Sequence, residues 1–231
     1  MAPPSVSREI INGLTAEQQR QLSMVLAVLE SDEHAPTAVR IPERAAQAHV
    51  ADSLVALELD AVRAAQRIAD LGSGAGFPGL ALAVALPAAE VSLIESQRRR
   101  CEFLERACAA AGVENAHVVC ARAEEWRDGI SRIDVVVARA LAPQPVVLEY
   151  AAPLLRVGGT LVDWRGRRDP AAEKAAEQAA SLLGLRREEI RHVVPFEGAT
   201  DRHLHVFAKV DETPARFPRR AGIARKRPLG S

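Results

Sequence analysis

The stretch DLGSGAGFPG, residues 70–79, constrains the fold of this chain more than any other. It follows a short apolar run, RIADLG, and precedes an alanine- and leucine-rich run, PGLALAVALP. A strand that feeds a glycine-rich turn and then a helix is the first β-α junction of a doubly wound sheet. Ligands of such sheets sit beside the carboxyl ends of the strands. Gly72, Gly74 and Gly76 accept positive φ and let a ligand approach the backbone closely, and Pro78 suits the first turn of the following helix. An ordinary tight turn needs only one or two glycines, so the surplus points to a ligand.

Two ligands compete for the loop. Gly74-x-Gly76-x-x-Gly79 matches the dinucleotide fingerprint, and Glu95, closing the next strand EVSLIES, stands at the distance of a ribose-binding acid. Asp70 decides between them. A dinucleotide sets an anionic pyrophosphate against this loop, where a nearby carboxylate opposes it. S-adenosyl-L-methionine has no phosphate and carries a sulfonium and an ammonium, which an acid favours. Glu95 suits either, because both ligands contain a ribose. In RAEEW, after the third strand, Glu124 or its backbone is positioned to meet an adenine.

The rest of the chain fits an α/β sheet. Strand-like runs (EVSLIES, AHVVCARA, IDVVVARA, TLVDWRG) alternate with helical ones (RRRCEFLERACAAAGV, PQPVVLEYAAPLLRVGG, PAAEKAAEQAASLLGL). EEIRHVVPF and RHLHVFAKV follow with no helical segment between them, which predicts an antiparallel finish to a mostly parallel sheet covered on both faces. Before residue 66 the chain reads as helical. Thr15 is an N-cap with Gln18 three residues on, as in a capping box. A second helix starts at Pro42 and sets Val50, Leu54, Val55 and Leu57 on one face. Three units follow: a helical cap over 1–65, a core over 66–212 and a tail over 213–231.

With 231 residues, 48% apolar and 3% aromatic, the chain affords a core built mainly from Ala, Val and Leu. No apolar run approaches the roughly 20 residues that span a bilayer, and MAPPSVSREI lacks the pattern of a secretory signal. We expect a cytoplasmic protein without membrane contact, acting as a monomer. Cys101, Cys108 and Cys120 have no metal-ligand spacing and read as reduced core thiols, and no metal is expected.

Charge is uneven although the formal net is zero. Arg216, Arg219, Arg220, Arg225, Lys226 and Arg227 crowd a tail with no acid. They form a phosphate-binding footprint punctuated by Phe217, which is available to stack on a base. The run RRR at 98–100 adds charge near Glu95. The tail is too polar to pack and is expected to lie along the surface or to move. The fourth strand ends in VVVARALAP, with neither an Asn/Asp-Pro-Pro-Tyr arrangement nor a cysteine, but with Arg139. Arginine suits a phosphate, a carboxylate or a purine edge and is a poor base because it stays protonated. An acceptor that is already nucleophilic, such as guanine N7, fits this absence. Alignment of donor and acceptor then supplies the rate.

DLGSGAGFPGL, LIESQRRRCEFLE, RAEEW, VVVARALAP and FPRRAGIARKRPLG resemble the bacterial 16S ribosomal RNA guanine-N7 methyltransferases, the glucose-inhibited division protein B family. HVADSL, from His49, is similar to that family's His-x-x-Asp-Ser element. The resemblance implies a class I S-adenosylmethionine-dependent methyltransferase, Rossmann-like, with a seven-stranded mostly parallel sheet, an antiparallel last strand and an N-terminal helical cap. It implies transfer of a methyl group to N7 of one guanine in 16S rRNA, with the small ribosomal subunit or its assembly intermediate as partner. It also implies donor contacts at Gly72, Phe77, Ala123, Glu124 and Arg139. The chain departs from the family pattern in APTAV, from Ala35, and in DWRGR, where Arg165 takes a lysine position on the RNA side. Other readings stay open: another acceptor (a small molecule or a protein), a nicotinamide-dependent dehydrogenase, or an RNA-binding module with a vestigial pocket. His49, His203 and His205 carry no assignment.

Overall fold

In the computed structural model, which describes residues 12–32 and 46–230, the alternation beyond residue 66 becomes β1 (Arg67–Leu71), β2 (Glu90–Glu95), β3 (Ala116–Cys120), β4 (Ile133–Arg139), β5 (Leu155–Arg165), β6 (Leu185–His192) and β7 (His203–Lys209). They form one sheet in the order β3-β2-β1-β4-β5-β7-β6. The neighbours from β3 to β5 run parallel, whereas β7 is antiparallel to both β5 and β6. The order reverses between β1 and β4, so the loops after these strands flank a ligand crevice.

Before the sheet, α1 (Ala16–Ser31) carries the expected capping box: Thr15 Oγ1 accepts from the Gln18 amide at 3.2 Å, and Gln18 Oε1 accepts from the Thr15 amide at 2.9 Å. Pro42 and Ala35 lie outside the described residues. The expected second helix is broken where it is described. A π turn (Ala46–Ala51) leads to α2 (Asp52–Leu54), a 3-10 turn (Val55–Glu58) and α3 (Asp60–Arg63). Polar groups divert the ladder. The Ser53 hydroxyl donates to the His49 carbonyl, and the Asp52 carbonyl accepts from Trp164 Nε1 at 2.8 Å. Val50, Leu54 and Val55 are buried as expected, whereas Leu57 is only half-buried.

The remaining helices are α4 (Gly79–Ala85), α5 (Arg98–Ala111), α6 (Gln144–Ala151), α7 (Pro170–Leu182) and α8 (Ile223–Lys226). Strand alternation divides the core. Val135, Val137, Val162 and Trp164 face α1, α2, α4 and α5, while Val136, Ala138, Leu161 and Phe207 face α6 and α7. The run from Gln144 does not stay helical to its Gly-Gly pair. Pro153 cannot continue the ladder, and residues from Leu155 become the first part of β5. Gly159 sits where β4 and β5 shift register, and a Cβ there would lie 2.9 Å from the Asp134 carbonyl.

Two other expectations are corrected. Cys101 and Cys120, at the start of α5 and the end of β3, are paired as a disulfide. Cys108 is free, with burial pushing its thiol up to about 11. Adjacent parallel strands bring β2 and β3 together, and the turn after β2 returns Cys101 over the end of β3, a proximity that sequence spacing does not reveal. The tail is also not loose. Phe217 and Ala224 are buried against the α6 face, and Arg219 grips the buried Glu149 of α6 through Nε at 2.8 Å and Nη2 at 2.5 Å.

Arg219→Ala leaves a buried carboxylate unpaired and should cost about 3 kcal/mol or more in urea unfolding, with faster proteolytic loss of the tail. The exposed Arg220→Ala should stay within about 0.5 kcal/mol. A second test concerns pH. Gln144 Nε2 donates to Asp163 Oδ2 at 2.9 Å, and its Oε1 lies 3.2 Å from His205 Nδ1. Burial, opposed by Arg165, raises the Asp163 carboxyl to about 6, and burial lowers His205 to about 4. A raised carboxyl pKa gives stability that is present below the unfolded value near 4 and lost as pH rises to about 6. The lowered histidine works in the opposite direction between about 4 and 6.5. Asp163→Asn removes only the first trend. Its stability relative to wild type should therefore rise by about 1–3 kcal/mol from pH 4 to pH 7, measured by urea unfolding at both.

Candidate cofactor site

The glycine loop is fixed from beneath by Asp70. This residue is 1% exposed; its Oδ2 accepts from the Gly79 amide at 2.9 Å and its carbonyl accepts from Ser73 Oγ at 2.9 Å. Only glycine fits at 79, because a Cβ would lie 2.6 Å from Asp70 Oδ2. Burial pushes the Asp70 carboxyl up to about 6 against the pull of the Gly79 amide and of Arg139. Asp70 therefore shapes the loop from behind rather than facing into the cleft, as the sequence alone suggests. Its charge still acts through the low-dielectric interior.

Five of the loop's amides are already committed. Those of Gly72 and Ser73 donate to the Ile94 carbonyl, that of Gly76 to the Ser73 carbonyl, that of Gly79 to Asp70 and that of Gly74 to Glu95 Oε2 at 3.2 Å. A pyrophosphate needs such donors turned towards it. Two of the three glycines in the dinucleotide pattern instead donate to carboxylates, which disfavours that ligand. Gly74 needs its glycine for the positive φ of +53; a Cβ there would make only ordinary contact, 3.6 Å from the Gly72 carbonyl oxygen.

Beside the start of the loop lies an open cleft, bordered by Gly72, Glu95, Ala123 and Glu124. Glu95, at 4% exposure, holds its oxygens between the Gly74 and Gln97 amides, with Arg100 Nη1 3.7 Å away. Ala123 and Glu124 form the opposite wall, on a 3-10 turn after β3. Glu124 Oε1 accepts from the Gly222 amide of the tail at 3.0 Å, and Tyr150 and Arg225 complete that side. Two buried acids, Glu95 and Glu124, on facing sides of one cleft suit a cationic ligand better than a pyrophosphate.

Arg139 stands at the end of β4, just before Ala140, whose φ of +54 is unusual for a residue with a side chain and turns the chain sharply. Leu141 then packs over Gly72, where a Cβ would collide with it. Arg139 Nη1 donates to Asp52 Oδ2 at 2.9 Å, and Nη2 lies 3.3 Å from His49 Nδ1. The His49 ring stacks on Phe77 with centroids 5.0 Å apart. Burial, then Arg139, lowers His49 to about 4.

The expected site residues thus divide into groups. Gly72, Glu95, Ala123 and Glu124 line the cleft, Gly74 is tied to it through Glu95, Gly76 stays within the loop, and Phe77 and Arg139 both contact His49. Arg216, Arg220, Arg225, Lys226 and Arg227 are exposed. Arg219 is held by Glu149, Phe217 is 9% exposed and packed inward rather than open to a base, and Arg165 pairs with Asp163 at 2.7 Å on the α6 face. Asp52, Tyr150 and Gly222 were not singled out from the sequence. For Asp52 the only signal was the HVADSL element.

Among the described residues no cluster of side chains is suited to a metal ion, and no helix is long and apolar enough to cross a membrane. Comparison with known proteins places the fold and the family. A solved S-adenosylmethionine-dependent methyltransferase from Aquifex aeolicus superposes with TM-score 0.58 at 14% identity, over 72% of this chain and 93% of that one. Aeropyrum pernix fibrillarin with natively bound S-adenosyl-L-methionine gives 0.51 at 18% identity, over 68% and 73%. At these identities the likeness is one of fold. Two sequence relatives are each named ribosomal RNA small subunit methyltransferase G. The one from Rubrobacter xylanophilus is 42% identical over 82% of this chain and 75% of its own length. The one from Pelotomaculum thermopropionicum is 37% identical over 84% and 82%. The model of the GidB family, rRNA small subunit methyltransferase G, matches residues 18–205. With the match spanning most of the chain and the sheet, glycine loop and cleft in agreement, this protein belongs to the small-subunit rRNA methyltransferase G family of S-adenosyl-L-methionine-dependent enzymes.

Proposed function

We propose that the chain transfers the methyl group of S-adenosyl-L-methionine to N7 of a guanine in 16S rRNA, by direct displacement without a dedicated general base. The observation that carries this reading is the group at the end of β4: a guanidinium, Arg139, beside a histidine that burial holds near 4. A guanidinium is a poor base, and a group titrating near 4 is a feeble one at neutral pH. Guanine N7 has an in-plane lone pair and no proton to lose, so it asks for neither. When bound, the donor supplies a methyl group already activated by the positive sulfur. Glu95 receives the ribose hydroxyls, the Ala123–Glu124 turn receives the adenine, and Asp70 holds the loop against which the methionine end rests. Catalysis is then mainly alignment, which removes several kcal/mol of barrier.

The proposed partner is 16S rRNA or the small subunit carrying it, met in the cytoplasm by a monomer. Exposed Arg216, Arg220, Arg225, Lys226 and Arg227 take the phosphates, with Arg219 holding the segment in place. Because Gly222 and Arg225 belong to the donor cleft, deleting residues 214–231 disturbs both substrates at once and does not isolate RNA binding.

The test is methyl transfer from labelled donor to small subunits that lack their native N7 methylation, with the label mapped to the base. The expected result is label on N7 of one guanine. Label on an exocyclic amine, on a ribose or on protein would overturn the reading.

A further inference from the structure

The acceptor end of the site contains an oxygen with no assigned task. Asp52 is 5% exposed, and its Oδ2 is held by Arg139, whereas its Oδ1 is buried and makes no hydrogen bond. A buried carboxylate oxygen without a donor is costly. The group over it is Arg202, whose Nε is 3.6 Å away and whose side chain, 43% exposed, is the solvent-accessible member of the pair. The carboxylate itself is rigidly set. Its own carbonyl accepts from Trp164 Nε1, and its other oxygen is bonded to a guanidinium that is 17% exposed.

We infer that Asp52 is the residue that distinguishes guanine from adenine in this site. The inference rests on the guanine-N7 reading above and adds how the base is chosen. N7 alone does not choose it, because adenine has the same in-plane lone pair. The bases differ at the neighbouring edge: guanine shows the O6 acceptor followed by the N1–H donor, and adenine shows an N6 donor followed by the N1 acceptor. The Arg139–Asp52 pair presents a donor followed by an acceptor. Arg139 donates to O6, and Asp52 Oδ1 accepts the N1 proton once Arg202 swings aside. O6 lies between N1 and N7 on the purine, so the same placement turns N7 away from Asp52 and past Arg139, whose chain continues directly into Ala140 and Leu141 of the cleft wall. The stacked His49 and Phe77 rings border this position. Adenine offers a donor to a guanidinium and an acceptor to a carboxylate, and both contacts repel.

The experiment uses small subunits reconstituted with guanine, inosine, 1-methylguanine or adenine at the target position, with wild type and Asp52→Asn compared. Donor affinity is measured alongside by calorimetry. Wild type should methylate inosine, which keeps O6 and N1–H, within about threefold of guanine. Rates on 1-methylguanine and adenine should fall at least tenfold, on the order of one hydrogen bond to a charged acceptor. In Asp52→Asn the side-chain amide can present either an oxygen or an N–H. The guanine-to-adenine ratio in kcat/KM should therefore collapse towards one while donor affinity stays within about threefold. Wild-type rates on 1-methylguanine or adenine equal to that on guanine would overturn the inference even if the variant failed to fold. So would a variant that keeps the wild-type ratio or loses donor binding. Absence of N7 label on the guanine subunit itself would instead overturn the reading on which the inference rests.

Discussion

A single buried hydrogen bond, from the Gly79 amide to Asp70 Oδ2, fixes the arrangement on which the rest of the site depends. It ties the end of β1 to the start of α4 across the glycine loop and consumes an amide that a phosphate ligand would need. The carboxylate is fully buried, so its charge is screened little and adds to the negative potential set by Glu95 and Glu124. Loop shape and loop electrostatics thus share one cause. A residue that first reads as a ligand contact is better described as the support that makes a phosphate-free, cationic ligand the favoured one.

The C-terminal segment extends the same economy. Arg219 is neutralised by Glu149 and anchors the chain, Gly222 reaches Glu124, and Arg225 sits at the mouth of the cleft with Tyr150. The exposed basic residues around them are therefore carried on a segment that is physically continuous with the donor wall. Displacement of this segment would break the Gly222–Glu124 contact and so alter that side of the cleft.

Much of this was legible in the sequence because it depends on local chemistry. The glycine loop, the acid closing β2, the Thr15–Gln18 box and the antiparallel finish follow from spacing and turn residues. Misreadings arose where distant partners override local preference. The helix through Pro153 yields to β5 because that segment pairs with β4. The turn at Asp52 breaks because Trp164, 112 residues away, takes its carbonyl. Phe217 and Arg219 read as RNA-facing in a basic tail, yet a buried acid on α6 and an apolar face claim them. The Cys101–Cys120 pairing and the Asp52–Arg139 contact likewise join segments that only the folded sheet brings together.

The most direct measurement is calorimetric titration of S-adenosyl-L-methionine into wild type, Asp70→Asn and Asp70→Ala. Asparagine keeps an acceptor for the Gly79 amide, and alanine does not. If the loop is held through that amide, the alanine variant should bind at least tenfold more weakly than the asparagine variant, which loses only the charge, in line with the loss of one buried hydrogen bond. Wild-type affinity in the alanine variant would contradict the account, because the donor site would then not depend on the bond that here organises it.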